Sequence, residues 1–332
     1  MLRPGGLVTR CATAVLGLAV VTAGATSAWD TARSGAGLRD KLKIVAPAAP
    51  GGGWDTTARE LQHAAQANEL TGTAEVLNVE GAGGTIGLAR TANQPGDPNT
   101  LLLTGTTMLG AIEINGSPTR VSDTTPIARI TEDYDAIVVP ADSPLRTVHD
   151  LMDRWRADSG GVVVGGGSIG SLDHLLAGSA AAEAGVGPAG LNYIAYSGGG
   201  EMVAALLGDH LDVGFANTDE ISDQVAAGEL RVLGVSAPQR TADLPDAPTL
   251  REAGVDIVLS NWRGLVAAPG ITADQAADAR AFVRELTATP QWRDALRRNN
   301  WLDGFQDGPE FDRTLAAETD RIRDITEKLG LA

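Results

Sequence analysis

Residues 162–176 read VVVGGGSIGSLDHLL, and their glycines and serines fit three kinds of chemistry at once. Gly165, Gly167 and Gly170 match GxGxxG, the turn that admits a dinucleotide pyrophosphate. Gly166, Ser168 and Gly170 match GxSxG, the elbow that presents a nucleophilic serine. The same stretch, with no catalysis at all, also makes an anion cradle. The first N–H groups of a helix have no intrahelical acceptor, and glycine lets a ligand approach them.

Each chemistry needs partners elsewhere in the chain. A serine hydrolase needs a histidine after its nucleophile, and only His174 and His210 follow Ser168. His174 lies on the helix just beyond the elbow, and His210 in LLGDHLDV reads as a surface-turn residue. A nicotinamide site needs an acidic residue at the end of the next strand to hold the ribose. Here that strand, LNYIAY, runs into Ser197-Gly198-Gly199-Gly200. The second glycine run, GAGGTIG, has Ile86 where the third glycine should stand, and its next strand ends in Thr104. His63, His149, His174 and His210 are scattered without metal-ligand spacing. The pairs Asp219-Glu220 and Glu132-Asp133 read as solvated acidic faces on so acidic a chain. These residues assemble no catalytic constellation, cofactor site or metal site, which points away from an enzyme.

The elements that would position these loops follow a regular rhythm. Residues 1–28 have the layout of a secretory signal: a basic start at Arg3 and Arg10, the apolar ATAVLGLAVVTAG, and the small residues ATSA. The apolar run is shorter than the roughly 20 residues a membrane span needs. Cys11, the sole cysteine, follows Arg10 rather than a small residue and leaves with the leader. An exported chain starting near Trp29 then has no disulfide and enough length for two domains. The formal charge of −16, or −18 without Arg3 and Arg10, argues against nucleic acid or an anionic membrane face as a partner. It does not exclude a bound anion, because exposed charges are screened beyond about 8 Å.

From Lys41 onward, short aliphatic runs (LKIVAP, AEVLNV, TLLLTG, AIVVP, GVVVGG, LNYIAY, LDVGFA, LRVLGVS) alternate with segments of helical length, predicting an α/β fold with mainly parallel sheets. Five strand ends run into glycine or threonine and then a helix, at APGGGWDTT, EGAGGT, TGTT, GGGSIGS and YSGGGE. Such turns at the carboxyl ends of strands predict a cleft for a small anion. The stretch from Ile271 onward reads as amphipathic surface helices broken at Pro290 and at Gly308-Pro309.

In order along the chain, APAAPGGGWDTTAR, NVEGAGGTIGLA, GGGSIGSLDHLLAG, YSGGGEMVAALLGDHLDVGFAN, AGELRVLGVSAPQR, LPDAPTLREAG and NWRGLVAAPGI resemble the solute receptor of the tripartite tricarboxylate transporters. The GGGWD, YSGGGE and NWRG versions are similar to its tricarboxylate-binding branch within the Bug-type periplasmic receptors. The resemblance implies a two-lobed periplasmic-binding-protein fold of type II, a hinged trap with two crossing strands near YDAIVVP and DIVLSNW. After the signal peptide at 1–28, lobe 1 would hold residues 29–134 plus 256–332 and lobe 2 residues 135–255.

The resemblance also implies a monomeric extracytoplasmic receptor that delivers a citrate-like tricarboxylate to a large and a small integral membrane subunit. A dicarboxylate or aromatic acid as solute, a role as sensor subunit, and a hydrolase or dehydrogenase of small acids are the alternatives. Carried over, the first lobe would grip the solute with Gly52, Gly53, Trp54, Asp55 and Thr56 and with Gly83, Gly84 and Thr85, adding Thr106. Asp55 is expected to serve as an N-cap rather than to touch a carboxylate. The second lobe would add Ser168, Gly170, Ser171 and His174, then Tyr196, Ser197, Gly198 and Gly199, and then Asn217 and Thr218. Protonated His174 could pair with a carboxylate or could be a plain helix-face residue. Arg263 could hold a carboxylate bidentately or pair with an acidic neighbour.

Overall fold

The computed structural model describes residues 37–196 and 198–331. The expected signal peptide, Cys11 and Ser197 lie outside them. Within the described residues, aliphatic strands form two sheets that share one long strand. In the first, β1 (Lys41–Ala46) pairs in parallel with β2 (Thr73–Asn78) and β3 (Thr100–Gly105). Next to β3, antiparallel, lies β9 (Ser260–Ala267), and then the first part of β4 (Thr125–Pro140), whose far edge carries β10 (Leu302–Asp307). In the second sheet β5 (Val163–Gly166) lies between β6 (Asn192–Ala195) and β7 (Val213–Asn217), all parallel. The last part of β4 fits antiparallel between β7 and β8 (Leu230–Val235).

The long strand β4 therefore changes sheets between Tyr134, opposite Ser260 of β9, and Asp135, opposite Asn217 of β7. The expectation of mainly parallel sheets is corrected here. Parallel neighbours need a crossover that carries the chain back to the same end of the sheet. Strand β4 instead runs on from one sheet into the other, and the four later strands that lie along it, β7, β8, β9 and β10, all pair with it antiparallel. The second link between the sheets, residues 255–259, is not a strand. It is held by Ser236, which is fully buried: the Ser236 hydroxyl donates to the Leu259 carbonyl (2.7 Å) and accepts from the Asp135 N–H (3.1 Å). The Leu259 N–H in turn donates to the Ser236 carbonyl. One serine thus fastens both links.

Along β3 the side chains alternate between faces. Leu101 and Leu103 pack with Leu61 of α1 (Gly53–Ala67), Phe282 of α8 (Ala273–Thr287) and Trp292 of α9 (Pro290–Arg298). On the opposite face Leu102 joins Leu88 of α2 (Thr85–Ala92), Leu109 and Ile112 of α3 (Thr106–Ile114), and Phe311 and Ile322 of α10 (Gly308–Lys328). That second core continues into the other lobe through Leu175 and Leu176 of α5 (Leu172–Glu183) and Trp155 of α4 (Val148–Ala157). The second lobe is completed by α6 (Gly199–Leu207) and α7 (Thr218–Ala226), packed on β7 with Met202, Leu206 and Ile221 buried. Where the lobes meet behind the cleft, glycine is required, because a Cβ on Gly110 of α3 would lie 2.4 Å from the Gly170 carbonyl oxygen.

The C-terminal helices break where the sequence indicates: Pro290 opens α9 and Gly308-Pro309 opens α10. Between them lies β10, which the sequence reading did not anticipate. No helix among the described residues is long and apolar enough to cross a membrane.

Candidate functional site

A cavity of ≈ 420 Å³ opens between the lobes, and the beginnings of six helices converge on it. From the first lobe come Gly52, Gly53 and Trp54 at the start of α1, Gly83 and Gly84 before α2, and Thr107 on α3. From the second come Ser168, Ser171 and Asp173 around the start of α5, Gly198 and Gly199 at α6, and Asn217 and Glu220 at α7. Asn261 and Arg263 of β9 complete the wall.

In five of these six helices no backbone N–H donates to the side chain of the N-cap residue: Gly52, Gly84, Gly105, Gly198 and Asn217. Ser171 caps the sixth, accepting from the His174 N–H. Helices that start elsewhere are treated differently. Thr147, Thr272 and Thr289 cap α4, α8 and α9 with their hydroxyls, and only α10, opening at Gly308-Pro309, lacks such a cap. Uncapped first-turn amides, together with the positive end of each helix dipole, make this concave wall a set of donors for oxyanions.

Local packing fixes the first-lobe loops. Gly84 has φ +92°, and a Cβ there would lie 2.8 Å from the Trp54 ring, so Trp54 can wall the cavity only because residue 84 is glycine. Asp55 is buried one turn into α1, where its carboxylate accepts from the Gly51 N–H (2.8 Å), Asn78 Nδ2 (2.8 Å) and Arg59 Nε (2.9 Å). Burial pushes its pKa up, but the hydrogen bonds from Arg59, Gly51 and Asn78 outweigh that and hold it below the usual carboxylate range. The expected N-cap role is corrected. The helix starts at Gly53, with Gly52 as N-cap, so Asp55 is the third helical residue and reaches back to Gly51.

The charges divide the cavity into two poles. On the first-lobe side Arg263, 5% exposed, pairs with Asp133 (Nη1–Oδ2 2.9 Å) and stacks over Trp301 at 5.0 Å. Its Nη2 lies 3.2 Å from where a Gly53 Cβ would be, so its other edge faces the start of α1. Burial pushes Asp133 up to about 6 even though Arg263 opposes the shift. The second-lobe side is acidic. Asp173 accepts from the Gly167 N–H, and Glu220 accepts from the Gly199 N–H at 3.3 Å. Behind Asp173 lies Asp135, fully buried, which also accepts from Asn217 Nδ2. Burial raises both Asp135 and Asp173, and the closeness of the two carboxyls raises Asp135 further. Glu220 meets the water of the cleft yet is enclosed by protein on most sides. This desolvation, with Asp173 and Asp219 close by, raises its pKa to about 7.

The structure brings Gly52, Gly53, Trp54, Gly83, Gly84, Ser168, Ser171, Gly198, Gly199, Asn217 and Arg263 to the cavity wall. Other expected residues lie behind it. Thr56 follows the wall on α1, and the Thr85 hydroxyl donates to the Ala82 carbonyl. The Thr106 hydroxyl donates to the Ser260 carbonyl (2.8 Å), tying α3 to β9, so that its neighbour Thr107 faces the cavity instead. Gly170, with φ +86°, packs on α3. Tyr196 continues β6, its N–H donating to the Gly166 carbonyl, and Thr218 lines a separate pocket with Asp133 and Tyr134.

His174 also lies behind the wall, 5% exposed, with Nδ1 accepting from the Gly170 N–H (3.2 Å) and the ring 4.5 Å from that of Tyr193. Burial lowers its pKa, so it is neutral and supports the loop rather than supplying a positive charge. The sequence reading missed Pro47, Ala48, Ala49, Glu80, Gly81, Thr107, Gly167, Leu172, Asp173, Glu220 and Asn261, all of which line the cavity. A signal for two of them was present: Asp173 stands two residues after the Ser171 cap, and Glu220 three residues after the end of β7.

The model of the tripartite tricarboxylate transporter family receptor, TctC, matches residues 57–331. A Cupriavidus necator protein described as the UPF0065 protein in the gbd 5′ region is 29% identical over 326 residues, covering 97% of this chain and 95% of its own. A TctC solute-binding protein from Polaromonas superposes with a TM-score of 0.71 at 27% identity, over 87% of this chain and 98% of that one. MatC from Rhodopseudomonas palustris, solved with bound malate, superposes with a TM-score of 0.73 at 23% identity, over 86% and 98%. These structures share the two-lobed periplasmic-binding-protein fold, and the family consists of solute receptors rather than enzymes.

Proposed function

Because the chain belongs to the tripartite tricarboxylate transporter receptor family, we propose that its interlobe cavity captures a small carboxylate outside the cytoplasmic membrane and presents it to the family's membrane subunits. The observation that carries this reading is the convergence of six helix starts, five without a hydrogen bond to the side chain of their own N-cap residue, on one cavity. Carboxylate oxygens accept from such amides without a dedicated cation. The free edge of Arg263 beside Gly53 adds one charged donor.

On this reading the lobes are residues 29–134 plus 256–332 and residues 135–255, hinged where β4 changes sheets and at the 255–259 link. The ligand favours the closed arrangement by binding it more tightly. Malate in MatC supports a small polycarboxylate as the class. The citrate-like ligand implied by the GGGWD, YSGGGE and NWRG loops is one member of that class.

Thermal unfolding of the chain without residues 1–28, alone and with citrate, isocitrate, tricarballylate, succinate, malate, glutamate and terephthalate, tests the proposal. A ligand at 100 times its Kd stabilises by about 2.7 kcal/mol. A raised midpoint with one or more of these acids is expected. No shift with any of them, at concentrations up to 10 mM or so, would remove the carboxylate reading.

A further inference from the structure

The charge on the cavity wall does not match a solute that is only anionic. Arg263 is the one cationic side chain among the described residues that line it, and one edge of its guanidinium is held by Asp133. Asp173 and Glu220 line the same cavity from the opposite lobe, each with a backbone N–H donor and, among the described residues, no cation within ion-pair distance. Both are pressed against the loops that line the site. A Cβ on Gly199 would meet Glu220 Oε2 at 2.3 Å, and one on Gly167 would meet Asp173 Oδ2 at 2.7 Å. Behind them Asp135, fully buried, has an oxygen, Oδ2, with no hydrogen-bond partner among the described residues. A citrate trianion here would set its outer carboxylate against Asp173 and Glu220, which would repel it while ionised or have to take up protons to admit it.

We propose that the solute carries a positive group as well as a carboxylate, an amino acid or other ammonium carboxylate, with the carboxylate at the Gly52–Trp54 and Arg263 pole and the ammonium at the Asp173 and Glu220 pole. The inference rests on the carboxylate reading of the cavity and narrows it. A chelated metal ion is the less suitable bearer of that charge, because among the described residues no three histidine, cysteine or carboxylate side chains converge in a metal-binding group. An ammonium needs only two or three acceptors, which the carboxylate oxygens of Asp173 and Glu220 can supply.

Matched acids that differ only in an amino group separate this inference from the one beneath it. Affinities would be measured by calorimetry for succinate against aspartate, glutarate against glutamate, and butyrate against 4-aminobutyrate, in 1 mM EDTA and again with magnesium. At least one amino member is expected to bind at least tenfold more tightly than its partner in EDTA, and Glu220→Gln is expected to reduce that ratio at least threefold. If the plain acids bind as tightly as the amino acids, the ammonium pole is overturned while the carboxylate receptor stands. Binding of plain acids only with magnesium overturns it too, in favour of a metal chelate. An unchanged ratio in Glu220→Gln also counts against it, and the wild-type ratios decide the matter if that variant fails to fold. If no acid of either kind binds, the carboxylate reading itself falls.

Discussion

The guanidinium of Arg263 lies 2.9 Å from the Asp133 carboxylate, with both side chains almost fully buried, just where β4 and β9 approach the strand exchange between the lobes. This pair is both a structural joint and the inner edge of the cavity. Two buried charges held together cost less than either alone, so removing one partner is far worse than removing both.

Arg263→Met should therefore destabilise the protein by about 3–5 kcal/mol at pH 8, where Asp133, left without its counter-charge, must either stay ionised in a buried site or take up a proton. The loss should shrink at pH 5, where burial lets Asp133 keep its proton. The double variant Asp133→Asn with Arg263→Met should recover most of the stability. Urea denaturation of the three variants at both pH values reads the difference directly.

The raised Asp133 also sets a pH dependence for the wild-type protein. Its folded-state pKa of about 6 lies above the ordinary 3.8, so between those values the native state binds more protons than the unfolded chain. Its contribution is fully present below pH 3.8 and is lost as pH rises to 6, by up to about 3 kcal/mol. Asp55 acts in the opposite sense: its lowered pKa means its contribution is lost as pH falls below the usual carboxylate range. Stability of Asp133→Asn measured from pH 4 to 7 should decline less steeply than that of the wild type, the remaining slope coming from Glu220, Asp135 and Asp173, which burial raises as well. A slope equal to that of the wild type would show that Asp133 does not titrate in this window.

Gly84 should tolerate no side chain. With φ +92° and the Trp54 ring 2.8 Å from a Cβ position, Gly84→Ala adds backbone strain of about 1–3 kcal/mol and displaces the aromatic wall. Ligand-dependent stabilisation should fall by more than the loss of intrinsic stability alone explains. Gly51→Ala serves as the control, since that glycine also has positive φ but nothing lies within 4 Å of its Cβ position.

How far the sequence spoke depended on the range of the interactions. Strand-glycine-helix turns are local, and GGGW, GAGG and the Gly198-Gly199 pair do sit at helix starts around one cavity. The course of β4 is not local: TPIARITEDY pairs with β9 and β10 and the following DAIVVP with β7 and β8, so no single residue pattern marks the whole length as one strand. Nor could spacing reveal that Thr106 would be spent on Ser260, 154 positions away, leaving Thr107 to face the cavity. Glu220 read as a solvated surface acid because its sequence neighbours are acidic. Its environment depends on Gly199 and Asp173, which only the folded chain brings close.

The two serines of the second-lobe loop should separate binding from folding. Ser171 caps α5 through the His174 N–H at 3.4 Å, so Ser171→Ala should cost about 1 kcal/mol of stability whatever the ligand does. Ser168 is exposed on the cavity wall, so Ser168→Ala should leave the unfolding midpoint unchanged. If its hydroxyl holds a ligand oxygen, affinity should fall by about 3- to 10-fold, the worth of one neutral hydrogen bond. Calorimetric titration of Ser168→Ala with the best acid from the thermal panel reads that loss without interference from folding. An unchanged Kd would show that the Ser168 hydroxyl holds no ligand oxygen.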